Sequence, residues 1–291
     1  MNSNEILSFC PGMAGMPLSP ELCSRIVQWI NQRRGDLAAL CLTCKAFQRE
    51  AEIKLYETLM LGDPNRAHIA CSTIATQERF GCLVRSIYLY QDTRRQTLLP
   101  RQFWVTVQGA LTRMHNLEFL FISDPSFSNS WILDPTKIKF QLREAKLRFT
   151  WDTRLVKFLE SQKKLRLLQN FDGSEDHVRL GIQPHALPAL QVFDGPLMIA
   201  AQLVSCPLTH IQVIIDPEVA PQLLSLLPRL AKVHATLRGL NFLEMPDELV
   251  SKALSIVSTT CPNLRHIGLL PLPWHSVSLL LGPTLTLLFV N

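Results

Sequence analysis

The stretch Met16-Pro17-Leu18-Ser19-Pro20-Glu21-Leu22 opens a segment that continues to Leu61 and decides how the N-terminal part of the chain folds. Ser19 is a favourable N-cap residue, because its hydroxyl accepts a hydrogen bond from a backbone N–H of the first helical turn. Pro20 then falls at the first helical position, where its missing N–H costs nothing. Glu21 suits the positive end of the helix dipole. The pattern predicts a helix that begins at Pro20.

Two further helices are predicted in the same segment. Gly35 is typical of a helix stop, and Asp36 is typical of the cap of the next helix. Apolar residues then recur at helical spacing. They are Leu37, Leu40, Cys41 and Cys44, followed by Phe47, Ala51 and Leu55. We therefore expect a helical domain of three short helices over residues 16–61, preceded by a flexible lead over residues 1–15.

The first helix carries more apolar surface than one core requires. Its apolar positions fill an arc of roughly 160°, whereas a helix that covers a single core needs an apolar stripe of about 100°. These positions are Leu22, Cys23, Ile26, Val27, Trp29 and Ile30. A unit of about 45 residues is also close to the lower limit for folding alone. The surplus apolar surface indicates a docked partner.

The ordered set of residues in this segment resembles the F-box. That family's pattern runs Leu-Pro-x-Glu-Leu, an isoleucine, a Leu-x-x-Leu helix and Cys-[Lys/Arg]-x-[Trp/Phe]. The matching residues are Leu18, Pro20-Glu21-Leu22, Ile26 and Ile30, then Asp36-Leu37-Ala38-Ala39-Leu40, Cys44-Lys45-Ala46-Phe47 and Leu55-Tyr56. One departure is that Ser19 stands where the family has its proline, which comes one residue later at Pro20.

The resemblance implies a partner and a set of contact residues. F-boxes bind the Skp adaptor, which links them to a cullin-based ubiquitin ligase. By resemblance, adaptor contact is assigned to Leu18, Pro20, Leu22, Ile26, Leu37, Leu40, Cys44 and Phe47. The alternative for the same segment is an ordinary helical N-terminal subdomain.

Composition limits the classes of protein that remain. The chain has 291 residues, 47% of them hydrophobic and 18% charged, which favours a well-buried globular chain. The formal net charge is +5, and the basic residues are scattered in pairs such as Arg33-Arg34 and Lys163-Lys164. Nucleic-acid binding requires a coherent basic stripe, and the sequence shows none. The start of the chain lacks the features of a signal peptide and no apolar run is long enough to span a bilayer, so we expect a cytoplasmic or nuclear protein without a membrane partner.

From Leu59 onward, short apolar strands alternate with amphipathic helices. The predicted strands are Thr58–Leu61, Val84–Tyr90, Leu117–Ile122, Ala145–Phe149, Leu165–Gln169, Leu190–Phe193, Leu208–Ile215, Leu230–Ala235, Leu264–Leu270 and Leu285–Val290. The predicted helices are Pro64–Ala75, Arg101–Met114, Thr153–Ser161, Leu197–Val204, Val219–Leu226 and Asp247–Thr259. This alternation is typical of an α/β fold built from parallel strands.

Several predicted strands begin with the same leucine signature, as in His115-Asn116-Leu117 and Pro262-Asn263-Leu264. Leucine-rich repeats have periods of about 20–29 residues, and the apolar anchors of successive strands here repeat at similar spacing. Residues 62–291 resemble the irregular leucine-rich-repeat regions that often follow F-boxes. The resemblance implies a solenoid in which stacked strand–helix pairs share one core. A doubly wound α/β domain is the alternative with the same order of elements.

No motif indicates catalysis, a metal or a cofactor. Cys41-Leu42-Thr43-Cys44 has C-x-x-C spacing but lies inside a predicted helix and lacks further ligands, so we expect two buried thiols. The eight histidines are dispersed, and His210 and His266 are predicted to be surface residues of the repeats. Nucleotide-binding glycine loops and nucleophile elbows are absent from the sequence.

The sequence therefore predicts a substrate-recognition subunit of a Skp–cullin–F-box ubiquitin ligase, which itself catalyses nothing. The helical domain would bind the Skp adaptor, and the repeat surface would bind a protein target that the sequence does not name. Two alternatives are a leucine-rich-repeat scaffold without a role in ubiquitination and an α/β enzyme with an unrecognised site.

Overall fold

The computed structural model describes residues 18–30, 33–91, 97–171, 181–215, 220–243 and 245–270. The chain divides into two compact units, Met1–Glu57 and Thr58–Asn291. The boundary follows Glu57, so Thr58–Leu61 belongs to the second unit and not to the helical segment that the sequence predicted to end at Leu61. The predicted lead over residues 1–15 and the predicted strand Leu285–Val290 lie outside the described residues.

Within residues 18–30 and 33–57, the first unit forms three helices, α1 (Pro20–Trp29), α2 (Arg34–Cys41) and α3 (Lys45–Glu57). The predicted start of α1 is confirmed, since Pro20 opens the helix and the Ser19 hydroxyl accepts a hydrogen bond from the Leu22 N–H at 3.4 Å. The helices surround a small core of Val27, Leu37 and Ala51.

The predicted roles of Gly35 and Asp36 are wrong. The C-cap residue of α1 is Ile30, and α2 already begins at Arg34. Gly35 and Asp36 therefore lie in the first turn of α2. A glycine stop requires a left-handed backbone, and Gly35 has no positive φ. Asp36 is one turn too late to cap the helix, and it suits the positive helix end through its charge instead.

The second unit is an α/β structure, and its described residues form nine parallel strands hydrogen-bonded in sequence order. The strands are β1 (Thr58–Leu61), β2 (Ser86–Leu89), β3 (Phe119–Ser123), β4 (Glu144–Arg148), β5 (Leu167–Asn170), β6 (Val192–Pro196), β7 (His210–Ile214), β8 (Gly239–Leu243) and β9 (His266–Leu270). The order never reverses among the described strands, so they contain no switch point of the doubly wound kind.

Helices and short 3-10 turns connect the strands. The α-helices are α4 (Pro64–Thr76), α5 (Glu78–Gly81), α6 (Arg101–Leu111), α7 (Thr153–Ser161), α8 (Leu197–Ala200), α9 (Ala220–Leu226) and α10 (Asp247–Thr260), and 3-10 turns cover Ser130–Ile132 and Leu227–Val233. Asp63 caps α4 through a 2.8 Å hydrogen bond from the Arg66 N–H, and Asp152 caps α7 through hydrogen bonds from two N–H groups. In the part of the chain that the structure describes, no helix has the length and apolar character needed to cross a membrane.

The sheet buries one face. Register places Leu59, Ile87, Leu120, Ala145, Leu168, Phe193, Ile211 and Leu240 in one row across β1–β8, and all of them are buried. Alternate residues of these strands point to the other side, which we call the open face, and most of these are only partly buried. All-parallel sheets are usually covered on both faces, so this sheet has an uncommon one-sided burial.

One predicted strand is wrong, and the true strand lies after it. Leu230–Ala235 overlaps the 3-10 turn Leu227–Val233, while β8 starts at Gly239. Leu227, Leu230 and Val233 are all buried and lie three residues apart, which matches the three-residue period of a 3-10 helix. The sequence prediction took this apolar run for a strand because short apolar runs do not distinguish the two structures by periodicity alone.

Candidate binding surfaces

Helix α1 presents two adjacent apolar stripes. Cys23 and Val27 are buried and face the core of the first unit. Leu22, Ile26 and Trp29 follow at i, i+4 and i+7, and they form a second stripe, the outer stripe of α1. Within it Leu22 is 49% exposed and Trp29 is 82% exposed, and Ile26 is half-buried. The predicted second apolar face of this helix is therefore present and is in contact with water.

The residues that the resemblance assigns to adaptor contact lie at three depths. Leu18, Pro20, Leu22 and Cys44 are exposed, Ile26, Leu40 and Phe47 are half-buried, and Leu37 is buried. Leu40 and Phe47 pack against the core that contains Leu37. The four exposed residues can contact a partner directly. Leu37 instead packs in the core that holds the three helices together.

Trp29 and Leu42 are the two most exposed large apolar residues in the described part of this unit, and neither belongs to the predicted contact set. Trp29 ends α1, and Leu42, at 89% exposure, is the last cap residue of α2. Tryptophan in particular is enriched among residues that dominate binding energy at protein interfaces. The sequence indicated the position of Trp29, because it lies at helical spacing from Leu22. It contained no comparable pattern that would place Leu42 on the same surface.

The two cysteines of the C-x-x-C sequence lie in different surroundings. Burial and the charge of Glu52 raise the pKa of Cys41, which is the opposite of what a reactive thiolate requires. Cys44 is exposed, so the prediction that both thiols are buried is wrong for this residue. Searched over the described residues, the structure contains no group of three or more His, Cys, Asp or Glu side chains that could hold a metal ion.

The open face of the sheet begins with an aromatic cluster on β2 and β3. The rings of Tyr88 and Phe119 are 4.6 Å apart between centroids, and Tyr88 contacts Phe121 edge-on at 6.3 Å. Tyr90 stacks on Phe121 at 6.2 Å. Met60 on β1 lies in register with Tyr88 and is exposed. These residues form an apolar area on the open face, next to strand β4 with its charged side chains.

Polar side chains continue the same row across the middle of the sheet. In register after Phe121 come Lys146, Gln169, Asp194, Gln212 and Asn241. The Gln169 side-chain amide donates a 2.7 Å hydrogen bond to Asp194. Burial raises the pKa of Asp194 to about 6, while a hydrogen bond from Gln212 and the charge of Lys146 act in the opposite direction. A carboxyl group therefore lies within a polar row, held by amides on both neighbouring strands.

The prediction that His210 and His266 are surface residues is confirmed. Both occupy one row of the open face, on β7 and β9, and Gly239 of β8 lies between them. Burial lowers the pKa of His210, and the charge of His266 adds to this effect. Other described open-face residues were not predicted individually, because the alternation of side chains becomes informative only once the strand bounds and register are known.

No protein-family model matches this chain, and no curated protein matches it. Among solved structures, the chain is similar to the crystal structure of a protein from Bacteroides fragilis, a structural genomics target. The alignment has 13% sequence identity, covers 78% of this chain and 67% of the other, and gives a TM-score of 0.46. A similarity at this level carries no argument about function, so the proposals below depend on the residues of this chain.

Proposed function

We propose that this protein is a substrate-recognition subunit of a Skp–cullin–F-box ubiquitin ligase. The first unit would bind the Skp adaptor and the second would bind a protein target. The protein would perform no bond chemistry itself. Its contribution would be to hold the target close to the subunits that transfer ubiquitin, which replaces a bimolecular encounter with a local one.

The observation that carries the proposal is the outer stripe of α1. Leu22 and Trp29 are exposed on a unit whose core buries few side chains. Small soluble units rarely leave large apolar side chains grouped in water unless a partner covers them. The F-box-like order of residues supports a Skp adaptor as that partner.

The open face of the sheet supports the target-binding half of the proposal. Its aromatic area and its polar row lie side by side on one surface, as described above. Aromatic side chains supply much of the binding energy at protein interfaces, and polar groups around them set specificity. A broad mixed surface of this kind suits a protein target better than a small molecule.

A titration of purified Skp adaptor into the full chain tests the first half. Leu22→Asp or Ile26→Asp would place an unpaired charge in the interface, so adaptor binding should be lost. Gln28→Asp introduces the same side chain on the polar side of α1, away from Leu22 and Ile26, and should leave binding nearly unchanged. Circular dichroism of each variant checks that the helices remain folded. Unchanged affinity in the folded Leu22→Asp variant would remove the assignment.

A second experiment separates a ligase receptor from a scaffold. Once a target that co-purifies with the chain is identified, it is incubated with the adaptor, the cullin subunits and the ubiquitin-transfer enzymes, with and without this chain. Ubiquitination that requires the chain supports the receptor. A target that binds but is never modified supports the scaffold alternative.

A further inference from the structure

The residues that directly precede the strands form a second row, at the edge where the strands enter the sheet. A continuous series of backbone hydrogen bonds connects them from β2 to β9, with N···O distances of 2.7 to 2.9 Å. We call this the edge row, and its members are Arg85, Glu118, Arg143, Arg166, Gln191, Thr209, Arg238 and Arg265. Arginine therefore holds five of the positions, against a single carboxylate.

The edge row corrects an expectation from the sequence, in which no coherent basic stripe was visible. Single arginines that are far apart along the chain become neighbours, because each enters the sheet at the same register. Arg143 and Arg166 belong to adjacent strands, as do Arg238 and Arg265. Adjacent strands are about 4.8 Å apart, so each pair brings two guanidinium groups within reach of one anion.

The row itself contains a carboxylate that bridges two of its arginines, which in this case lie two strands apart. Glu118 lies between two arginines, with Oε1 at 3.0 Å from Arg85 Nη1 and Oε2 at 3.2 Å from Arg143 Nε. One carboxylate thus bridges guanidinium groups from the strands on either side of its own. Arginine offers a planar fork of donors to a carboxylate, which a lysine ammonium does not.

The remaining arginines have donors to spare. Arg166 and Arg265 are exposed, and neither side chain has a hydrogen bond or ion pair with another described residue. Arg238 uses Nη1 on the carbonyl of its neighbour Leu237 at 3.2 Å. Lys164, in the turn that leads into β5, is exposed as well and adds to the positive charge at this edge.

From these contacts we propose that the edge row binds an extended acidic segment of a partner protein, whose carboxylates bridge Arg143 with Arg166 and Arg238 with Arg265. Four strand intervals, about 19 Å, separate the middle of the first pair from the middle of the second, and an extended chain covers that distance in about six residues. The segment therefore carries acidic residues about six positions apart. Gln191 and Thr209 lie between the two pairs and offer neutral hydrogen-bonding groups.

The surroundings of the row favour a polypeptide over a nucleic acid. Proteins that bind single strands combine basic residues with aromatic rings on which bases stack. Of the residues that follow the arginines of the row along the described strands, His266 alone carries a ring, whereas Ser86, Glu144, Leu167 and Gly239 do not. The aromatic residue Phe119 follows the carboxylate Glu118. The row is also only one residue wide.

This inference deepens the proposed function, because it names the chemistry of the target. The test uses the full chain without adaptor, so its outcome is separate from that of the adaptor titration. The probe is a fluorescein-labelled peptide of about twelve residues, with glutamate at every sixth position in a Ser/Gly background. Its glutamine counterpart and an oligothymidylate of equal length serve as comparisons.

We expect the glutamate peptide to bind and the glutamine peptide not to bind in fluorescence anisotropy. The double variant Arg166→Glu, Arg265→Glu should weaken binding at least about tenfold. Arg166→Lys, Arg265→Lys keeps the charge but loses the forked donors, so it should weaken binding by a smaller factor. Lys157→Glu, Lys252→Glu makes the same charge change on exposed positions of α7 and α10 and should have little effect.

Three results would overturn the inference. Equal loss of binding in the helix variant and the edge-row variant would mean that overall charge, and not the row, attracts the peptide. Tighter binding of oligothymidylate than of the glutamate peptide would make this edge a nucleic-acid surface. Absence of glutamate-peptide binding at low salt, where such attraction is strongest, would remove the proposal altogether.

Discussion

The carboxylate of Asp194 on β6 accepts a 2.7 Å hydrogen bond from the side chain of Gln169 on β5. The two residues are in register on the open face, so the contact connects neighbouring strands on the side of the sheet that the helices do not cover. Burial nevertheless dominates and raises the pKa of Asp194 to about 6, from an ordinary value of 3.8. The amide hydrogen bonds thus stabilise the partly buried charge of Asp194, but they do not fully offset the cost of burying it.

We expect this carboxyl group to make stability depend on pH. Its pKa is higher in the folded chain than in the unfolded chain, so the folded state binds the proton more tightly and its stability falls as pH rises from about 4 to about 6. Asp194→Asn should remove this slope and be more stable than the natural chain at pH 7 by about 1–2 kcal/mol, after allowance for partial solvent screening.

Urea unfolding at several pH values measures the difference between the two proteins. Glu144→Gln, on an exposed position of β4, is a matched control that should show no such gain. A difference between the natural chain and Asp194→Asn that stays constant from pH 4 to pH 7 would contradict the assignment.

We expect that only glycine fits at position 239, because the His210 side chain occupies the space that a Cβ would need. A Cβ at this position would lie 2.5 Å from His210 Cδ2, and the ring is held by a contact of 3.1 Å between its Nδ1 and the Thr209 hydroxyl. Gly239→Ala should therefore cost about 1–2 kcal/mol in urea unfolding. In a His210→Ala background the same change should cost much less, since the clash is gone. An equal cost in both backgrounds would exclude His210 as the cause.

Substitution of two other glycines, Gly81 and Gly35, by alanine should change stability in opposite directions. A Cβ at Gly81 would collide with the backbone carbonyl of Arg113, which cannot rotate away, so Gly81→Ala should destabilise the second unit by more than about 2 kcal/mol. A Cβ at Gly35 meets nothing within 4 Å, so Gly35→Ala should stabilise α2 by about 0.5–1 kcal/mol. Thermal unfolding followed by circular dichroism compares the two variants. The same sign for both changes would contradict this reading of their surroundings.

Alanine substitutions at Leu37 and Leu22 should have different effects, because Leu37 lies in the core of the first unit and Leu22 on its proposed contact surface. Leu37 is buried, so Leu37→Ala should cost about 2–5 kcal/mol and accelerate hydrogen exchange throughout α1–α3. Leu22→Ala removes an exposed side chain and should barely change exchange, while it weakens adaptor binding. Hydrogen exchange measured by mass spectrometry, together with the adaptor titration, tests both halves. Strong loss of protection in Leu22→Ala would place this residue in the core.

Local signals in the sequence determined the helices well. Ser19 and Pro20 were sufficient to locate the start of α1, and α7 has the predicted bounds Thr153–Ser161. These features depend on hydrogen bonds within one turn, which residues a few positions apart decide among themselves. The strands of the α/β unit were also mostly placed by their apolar patterns, and β1 has the predicted bounds.

Tertiary structure alone decided β8. The apolar residues of Leu227–Val233 have the composition of a strand, and Gly239 gives a poor strand signal. The glycine is accommodated because His210 of the neighbouring strand occupies the space of its missing side chain. That reason involves a residue far away in sequence, so no local pattern contains it.

Register likewise decided which surface residues are neighbours. The sequence determined that arginines precede several strands, and it determined a second apolar stripe on α1. It did not determine that Arg143 and Arg166 are neighbours on adjacent strands, or that Gln169 contacts Asp194. Both relationships depend on where each strand pairs with the next. A shift of one residue in pairing would turn every side chain to the opposite face. The candidate surfaces of the sheet therefore exist only once the core has set that pairing.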